Sequence, residues 1–280
     1  MMVIFQNKII YMPSVPPFSR SEKVRDYASQ CLPFTWSEHD IKAADGTAIK
    51  ILESGPNTVA LQAQQRRRVV VLYLQGILRA WTGSKADDQQ YTIVGLSYRG
   101  FWKSKGKASQ PGIELDVEAA LNWVLNRYEP QTKIIIWGQS IGAGAAAVGL
   151  ANFLKSHPGS HNRISGLLLE TPFVDLKTML VALYPQKFLP YRYLAPFLRS
   201  TWDSKGALED IGKIKSKLKM LIVEAGDDEI VPAGQGAILE QVCQEHGMEV
   251  DRATVPGALH TEVMMKPRGR SHIIRFLSSF

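Results

Sequence analysis

The sequence predicts an α/β fold in which a mostly parallel sheet is covered by helices on both faces. Three observations carry that expectation. Continuous apolar runs rich in Val, Ile and Leu recur along the chain, as strands buried on both faces require. Segments with helical spacing of apolar residues, or dense in small residues, separate several of these runs. A less regular pair of strands comes first, joined by Asp45-Gly46, a dipeptide suited to a hairpin turn.

Residues 1–11 are apolar but few, with no basic n-region and no cleavage site. They read as a strand or buried arm rather than a signal peptide or the end of an anchor. The hairpin occupies residues 34–41 and 48–52. Residues 69–74 and 92–96 are the first two buried strands. Residues 113–127 then read as a helix with Leu115, Ala119, Trp123 and Val124 on one face. Residues 133–137 form the next strand. Residues 142–154 suit a helix whose Gly144, Ala145, Ala146 and Ala147 allow close approach to a sheet. Strands at 166–169, 220–223 and about 250–255 complete the set. Between Asp175 and Lys205 the chain is rich in Tyr, Phe, Leu and Trp but is broken by Pro185, Pro190 and Pro196, which forbid one long helix. This excursion, 175–205, is expected to be a cap of short helical turns on a single domain spanning 1–280.

Composition narrows the function classes. With 45% hydrophobic and 21% charged residues the 280-residue chain can bury a full core and is not disordered. Cys31 and Cys243 are too few for a disulfide framework and lack a zinc-binding spacing, and no Asn-x-Ser/Thr sequon occurs. No run reaches the ~20 apolar residues of a spanning helix. A cytoplasmic location is therefore expected. The 33 Lys and Arg exceed the 26 Asp and Glu by seven, which favours anionic surfaces. Their clusters (Arg66 to Arg68; Lys213, Lys215, Lys217 and Lys219; Lys266, Arg268 and Arg270) read as solvated charge, the first of them flanking a buried strand. No nucleic-acid-binding pattern accompanies them, so a nucleic-acid partner is not expected.

One motif carries chemistry. Gly138-Gln139-Ser140-Ile141-Gly142 is a G-x-S-x-G placed between an apolar strand and a helix of small residues. In that setting the turn is so sharp that glycine is needed on both sides, and the serine hydroxyl projects at the carboxyl end of the sheet. The Ile141 N–H opens the helix, where it is available to an oxyanion. A serine nucleophile needs a base and a carboxylate that orients it. For this elbow the chain order is serine, acid, histidine. Asp227, Asp228 and Glu229 cluster after the strand at 220–223, and His260 follows the last strand in Pro256-Gly257-Ala258-Leu259-His260. His39, His157, His161, His246 and His272 lie in the wrong order or position.

These marks resemble the α/β-hydrolase superfamily, and within it BEM46-like and fungal ABHD-type serine hydrolases. The resemblance runs over nearly the whole chain. It rests on Tyr11-Met12-Pro13-Ser14, Asp45-Gly46-Thr47, Tyr98-Arg99-Gly100-Phe101, the elbow, Asp228-Glu229-Ile230-Val231-Pro232 and the His260 segment. It implies that Asp228 is the acid, with Asp227 in reserve, and that an ester, thioester or amide is hydrolysed without a cofactor. It also exposes one departure. Where relatives carry His-Gly-Asn-Ala-Gly, this chain has Gln75-Gly76-Ile77-Leu78-Arg79, and the segment 75–91 is short. Ile77 is then the second oxyanion donor of a rebuilt loop.

The expected protein is a serine hydrolase of carboxylesterase or acyl-thioesterase type, with Ser140, His260 and Asp228 as its triad and Ile141 and Ile77 as oxyanion donors. The aromatic excursion and basic surface fit a small-molecule or lipid-like acyl substrate and peripheral association with a membrane. The rival reading, from a different class, is a non-catalytic binding or scaffold protein on the same fold, with a degraded oxyanion loop.

Overall fold

The computed structural model of the chain describes residues 2–11, 23–27, 34–56, 67–74, 89–160, 162–183 and 197–280. The hairpin forms as expected: β1 (Phe34–Lys42) and β2 (Ala48–Pro56) pair antiparallel along their whole length. Gly46 turns the chain at φ +79°, while Asp45 Oδ1 accepts the Thr47 N–H at 3.1 Å. The further strands are β3 (Arg67–Leu74), β4 (Gln89–Ser97), β5 (Lys133–Gln139), β6 (Ile164–Glu170), β7 (Lys219–Ala225) and β8 (Glu249–Val255). They join in the order β1-β2-β4-β3-β5-β6-β7-β8, with every pairing from β4 to β8 parallel. The mostly parallel sheet that the apolar runs require is present.

Side-chain alternation explains why the runs are continuous. In β3, Val70, Leu72 and Leu74 enter one core cluster, while Val69 and Val71 enter another on the opposite face. The first cluster takes in α2 (Gln110–Arg127), α3 (Ile141–Ser156), α5 (Ser204–Ile214) and α6 (Gln235–Glu245), together with α4 (Leu176–Leu183). The second is closed by α7 (Pro267–Leu277) through Ile273, Phe276 and Leu277. The small residues of α3 permit close helix packing too: a Cβ on Gly149 would lie 2.5 Å from Val117 Cγ1 of α2.

Two expectations change. The amino-terminal segment is a helix, α1 (Met2–Tyr11), rather than a strand, although it is an arm with Gln6 and Tyr11 buried. Gln6 accepts the Arg199 N–H at 2.7 Å, and the Tyr11 hydroxyl bonds to Ser200 Oγ at 2.9 Å and accepts the Trp202 indole N–H at 3.0 Å. In α2 the buried face is Ile113, Val117, Ala120, Leu121 and Val124, not the stripe through Leu115, Ala119 and Trp123. Packing against α3 selects that face. Trp123 instead lies against the His39 ring, 5.0 Å between centroids. Within the excursion, residues 176–183 form the helix α4. The prolines at 185, 190 and 196 fall outside the described residues.

A buried ionic cluster ties the hairpin, the end of β4 and α2 together. Arg99 donates from Nε and Nη2 to Asp116 Oδ1 at 3.0 and 2.8 Å, and its backbone N–H reaches Oδ2 at 2.8 Å. Its Nη1 donates to Asp45 at 2.6 Å. Asp116 is wholly buried. Asp116→Ala leaves a buried guanidinium without its main partner and is expected to cost about 3–5 kcal/mol in urea unfolding. Asp210→Ala, which breaks a surface pair with Lys155, is expected to cost under ~1 kcal/mol.

Candidate active site

The elbow is built from the end of β5. Ser140 sits at φ +55°, ψ −121°, one of four non-glycine residues with positive φ among those described. Such a conformation costs ~1–3 kcal/mol and persists only where the surroundings enforce it. Here they do. A Cβ on Gly138 would strike the Gly142 carbonyl and lie 2.7 Å from Ala143 Cα, so only glycine lets the strand end meet the first turn of α3. The Ser140 N–H donates to the Glu170 carbonyl at 2.9 Å, and the Ser140 carbonyl accepts the Ala143 N–H at 2.8 Å. Ile141 is the first residue of α3, where a helical N–H has no acceptor within its own helix.

His260 comes from the loop after β8. Gly257 at φ +70° turns that loop, and Glu229 Oε2 accepts the His260 backbone N–H at 2.8 Å. The ring is nearly buried, at 3% exposure, and reaches both of its partners. Its Nε2 lies 2.8 Å from Ser140 Oγ, and its Nδ1 lies 2.9 and 3.0 Å from the two Asp228 oxygens. Asp228 Oδ1 also accepts the N–H groups of Ile230 at 2.9 Å and Val231 at 2.7 Å. Burial pushes the Asp228 carboxyl up, but the His260 bond and the two N–H groups outweigh it and hold the group below the usual carboxylate range.

Of the residues singled out from sequence, Ser140, His260 and Asp228 are thus joined in one hydrogen-bonded chain. Asp227 is exposed and contributes its backbone N–H to the Ala258 carbonyl at 3.0 Å. Ile77 and residues 75–88 lie outside the described residues. Among the described residues no group of three or more His, Cys, Asp or Glu could hold a metal ion. Cys243 is in the core, its thiol pushed up to about 12, chiefly by burial. A cleft of about 330 Å³ beside the acid loop, lined by residues including Thr171, Glu224, Asp228 and Pro232, does not include Ser140 or His260.

Sequence reasoning missed the roles of two carboxylates. Glu229 holds the His260 backbone. Glu170, wholly buried at the end of β6, accepts from Gln139 Nε2 at 2.9 Å and Trp137 Nε1 at 3.0 Å. The available signal was a lone acid closing the apolar run 166–169. Burial pushes the Glu170 carboxyl up to about 7, against the opposing effects of its two donors and of His260.

Sheet order, the elbow after β5, the acid loop after β7 and the histidine loop after β8 together define an α/β-hydrolase-fold protein. No family model matches the chain. It is similar to the protein bem46 of Schizosaccharomyces pombe, 35% identical over 53% of this chain and 45% of that protein. It is similar to the alpha/beta hydrolase domain-containing protein WAV2 of Arabidopsis thaliana, 24% identical over 95% of this chain and 84% of that one. The lysophosphatidylserine lipase ABHD12 of Danio rerio is 27% identical over 60% of the chain and 45% of the lipase. The chain thus spans under half of bem46 and of this lipase in these matches, and most of WAV2. An alpha-beta hydrolase from Vibrio vulnificus superposes with a TM-score of 0.66 at 17% identity, covering 97% of this chain and 92% of that one. These similarities support a BEM46-like, ABHD-type α/β-hydrolase assignment for the chain.

Two outcomes test this local structure. Gly138→Ala forces backbone against backbone and is expected to cost ~3 kcal/mol or more in thermal unfolding. For Glu170 the folded value of about 7 exceeds the ordinary 4.5, so between these pH values the native state binds more protons than the unfolded chain. Stability owed to this group is full below 4.5 and falls as pH rises towards 7, by up to about 3 kcal/mol. Glu170→Gln is expected to flatten that fall in denaturant titrations at pH 5 and 7.5.

Proposed function

We propose that the chain, read as one domain over residues 1–280 with a cap at 175–205, is a cofactor-independent serine hydrolase. The observation that carries this reading is the unbroken chain Ser140 Oγ–His260 Nε2 and His260 Nδ1–Asp228, ending on a serine held in a strained turn. Asp228, ionised well below neutrality, accepts the Nδ1–H of His260 and leaves Nε2 free to take a proton. Ser140 Oγ attacks the carbonyl carbon as its proton passes to Nε2. The electron pair displaced onto the carbonyl oxygen is held by the Ile141 N–H and, in this reading, by that of Ile77. His260 then protonates the leaving alcohol, thiol or amine as the carbon–heteroatom bond breaks, leaving acyl-Ser140. Water attacks the acyl group with His260 again as base, which releases the carboxylic acid and restores the serine.

An apolar acyl chain suits the exposed side chains beside the site: Ile230 at 38% exposure follows the acid loop's Glu229, and Leu259 at 43% precedes His260. The lipase among the relatives supports the same substrate class. Medium or long acyl esters or thioesters are therefore proposed, with peripheral contact at a membrane. No helix among the described residues is long and apolar enough to cross one.

A fluorophosphonate probe tests the reading directly. It is expected to label the wild-type chain and to leave Ser140→Ala unlabelled, and failure of the wild type to label would favour the scaffold reading. Ser140→Ala and His260→Ala are each expected to lower turnover of acyl esters by ~10³-fold or more, with the double variant little worse. A panel of graded chain lengths sorts the substrate. Asp228→Asn is expected to lose most activity, by up to ~10⁴ on the triad precedent. Asp227→Asn is expected to stay within about tenfold, because its carboxylate is solvent-exposed. The opposite ranking would transfer the acid role to Asp227.

A further inference from the structure

Asp228 is not the only carboxylate that bears on the Ser140–His260 pair. Three hydrogen bonds of Glu170 converge on the elbow. Its carbonyl accepts the Ser140 N–H, and its two carboxylate oxygens accept separately from Gln139 and Trp137. Those donors stand on either side of Gly138, so one side chain spans the last residues of β5 before the serine. The flanking strands bring no charge to it: β5 offers the neutral Trp137 and Gln139, and β7 places Val223 opposite. Among the described residues, the titratable group that acts on Glu170 is His260, from the loop after β8, with Asp228 of the β7 loop on that ring's Nδ1.

We propose that Glu170 is a positioning residue for the Ser140–His260 pair. Its carboxylate holds the end of β5 in place and, when ionised, favours the cationic imidazole formed as Ser140 gives up its proton. The proposal rests on the serine-hydrolase reading. Two features argue for a charge here rather than a neutral polar group. Both oxygens accept from N–H donors, which an amide cannot match because its NH₂ would face one of them. Ionisation also falls near neutrality, in the range where a histidine base works, so the charges of the two groups are coupled. A carboxylate kept only for packing has no need of either.

The most active form then has His260 neutral and Glu170 ionised, and the acid limb of kcat/KM belongs to the pair. The experiment follows hydrolysis of p-nitrophenyl butyrate from pH 5 to 9, with fluorophosphonate labelling of each protein. Glu170→Gln is expected to give a one-proton limb whose midpoint lies lower by about half a pH unit or more, with a plateau reduced about tenfold. Trp137→Phe removes one donor, raises the proton affinity of Glu170 and is expected to move the midpoint upward. A purely structural role would lower the plateau of either variant without moving its midpoint. Wild-type midpoints in both variants, with Ser140 still labelled, overturn the proposal and leave the serine mechanism standing. If Glu170→Gln does not fold, the midpoint of Trp137→Phe decides alone. A wild type that neither labels nor turns over overturns the serine reading itself.

Discussion

A serine hydroxyl can stand clear of the carboxyl edge of a parallel sheet only if strand and helix meet in a turn that most backbones cannot make. In this chain the whole site depends on the absence of one side chain, at Gly138. Any Cβ there would meet the carbonyl of Gly142, and the clash is backbone on backbone, so no rotamer can relieve it. The closeness bought at that point forces Ser140 to φ +55°, and the strain is held by bonds from outside the turn. The Glu170 carbonyl takes the serine N–H from β6, while α3, buried along nearly its full length, cannot retreat. The turn is therefore a property of the sheet core rather than of a five-residue motif.

Two carboxylates near the imidazole show how environment divides one chemistry into two behaviours. Asp228 lies in a loop and accepts two backbone N–H groups besides the ring, so its charge is favoured even though it is partly withdrawn from water. Glu170 has two side-chain donors but no exposure at all, and burial wins. The first keeps its charge across the working range of an enzyme. The second changes charge within that range. Both lie within the electrostatic reach of His260, so one ring has a fixed and a variable negative charge around it, which suits the proton acceptor of the proposed mechanism.

Much of this was legible in the sequence because it follows from local pattern. The runs around Val70 and Ile135 had to be buried on both sides, and strand–turn–helix around Ser140 fixed where a nucleophile could stand. The order of serine, acid loop and His260 along the chain followed from where successive strands end, while the choice of Asp228 over Asp227 came from the resemblance to known hydrolases. What escaped depends on tertiary choice. Helix α2 carries apolar residues on more than one side, so periodicity could not tell whether Trp123 or Val117 would face the core. Gly149 of α3, by admitting Val117, decides it. Residues 1–11 have apolar content without a period that separates helix from strand. Glu170 was passed over because an acid at a strand end ordinarily reaches solvent, and only the pairing of β6 between β5 and β7 encloses it.

The same dependence on non-local support governs the end of the aromatic excursion. Trp202 is fully buried yet held at φ +41°, a conformation unfavourable for a bulky residue. Its backbone N–H and that of Thr201 converge on one oxygen of Gln110, at the start of α2. Its indole N–H reaches Tyr11 of α1, and Gly144 of α3 leaves room for its Cβ, where an added methyl would come within 3.0 Å. Helices from three parts of the chain therefore fix one residue just where the excursion returns to the core. Because Ser140 also caps the start of α3, the end of the excursion and the elbow are registered against the same helix. Whatever the rest of the excursion does, its carboxyl-terminal end is set relative to the serine by side-chain packing and hydrogen bonds, not by the length of the chain between them.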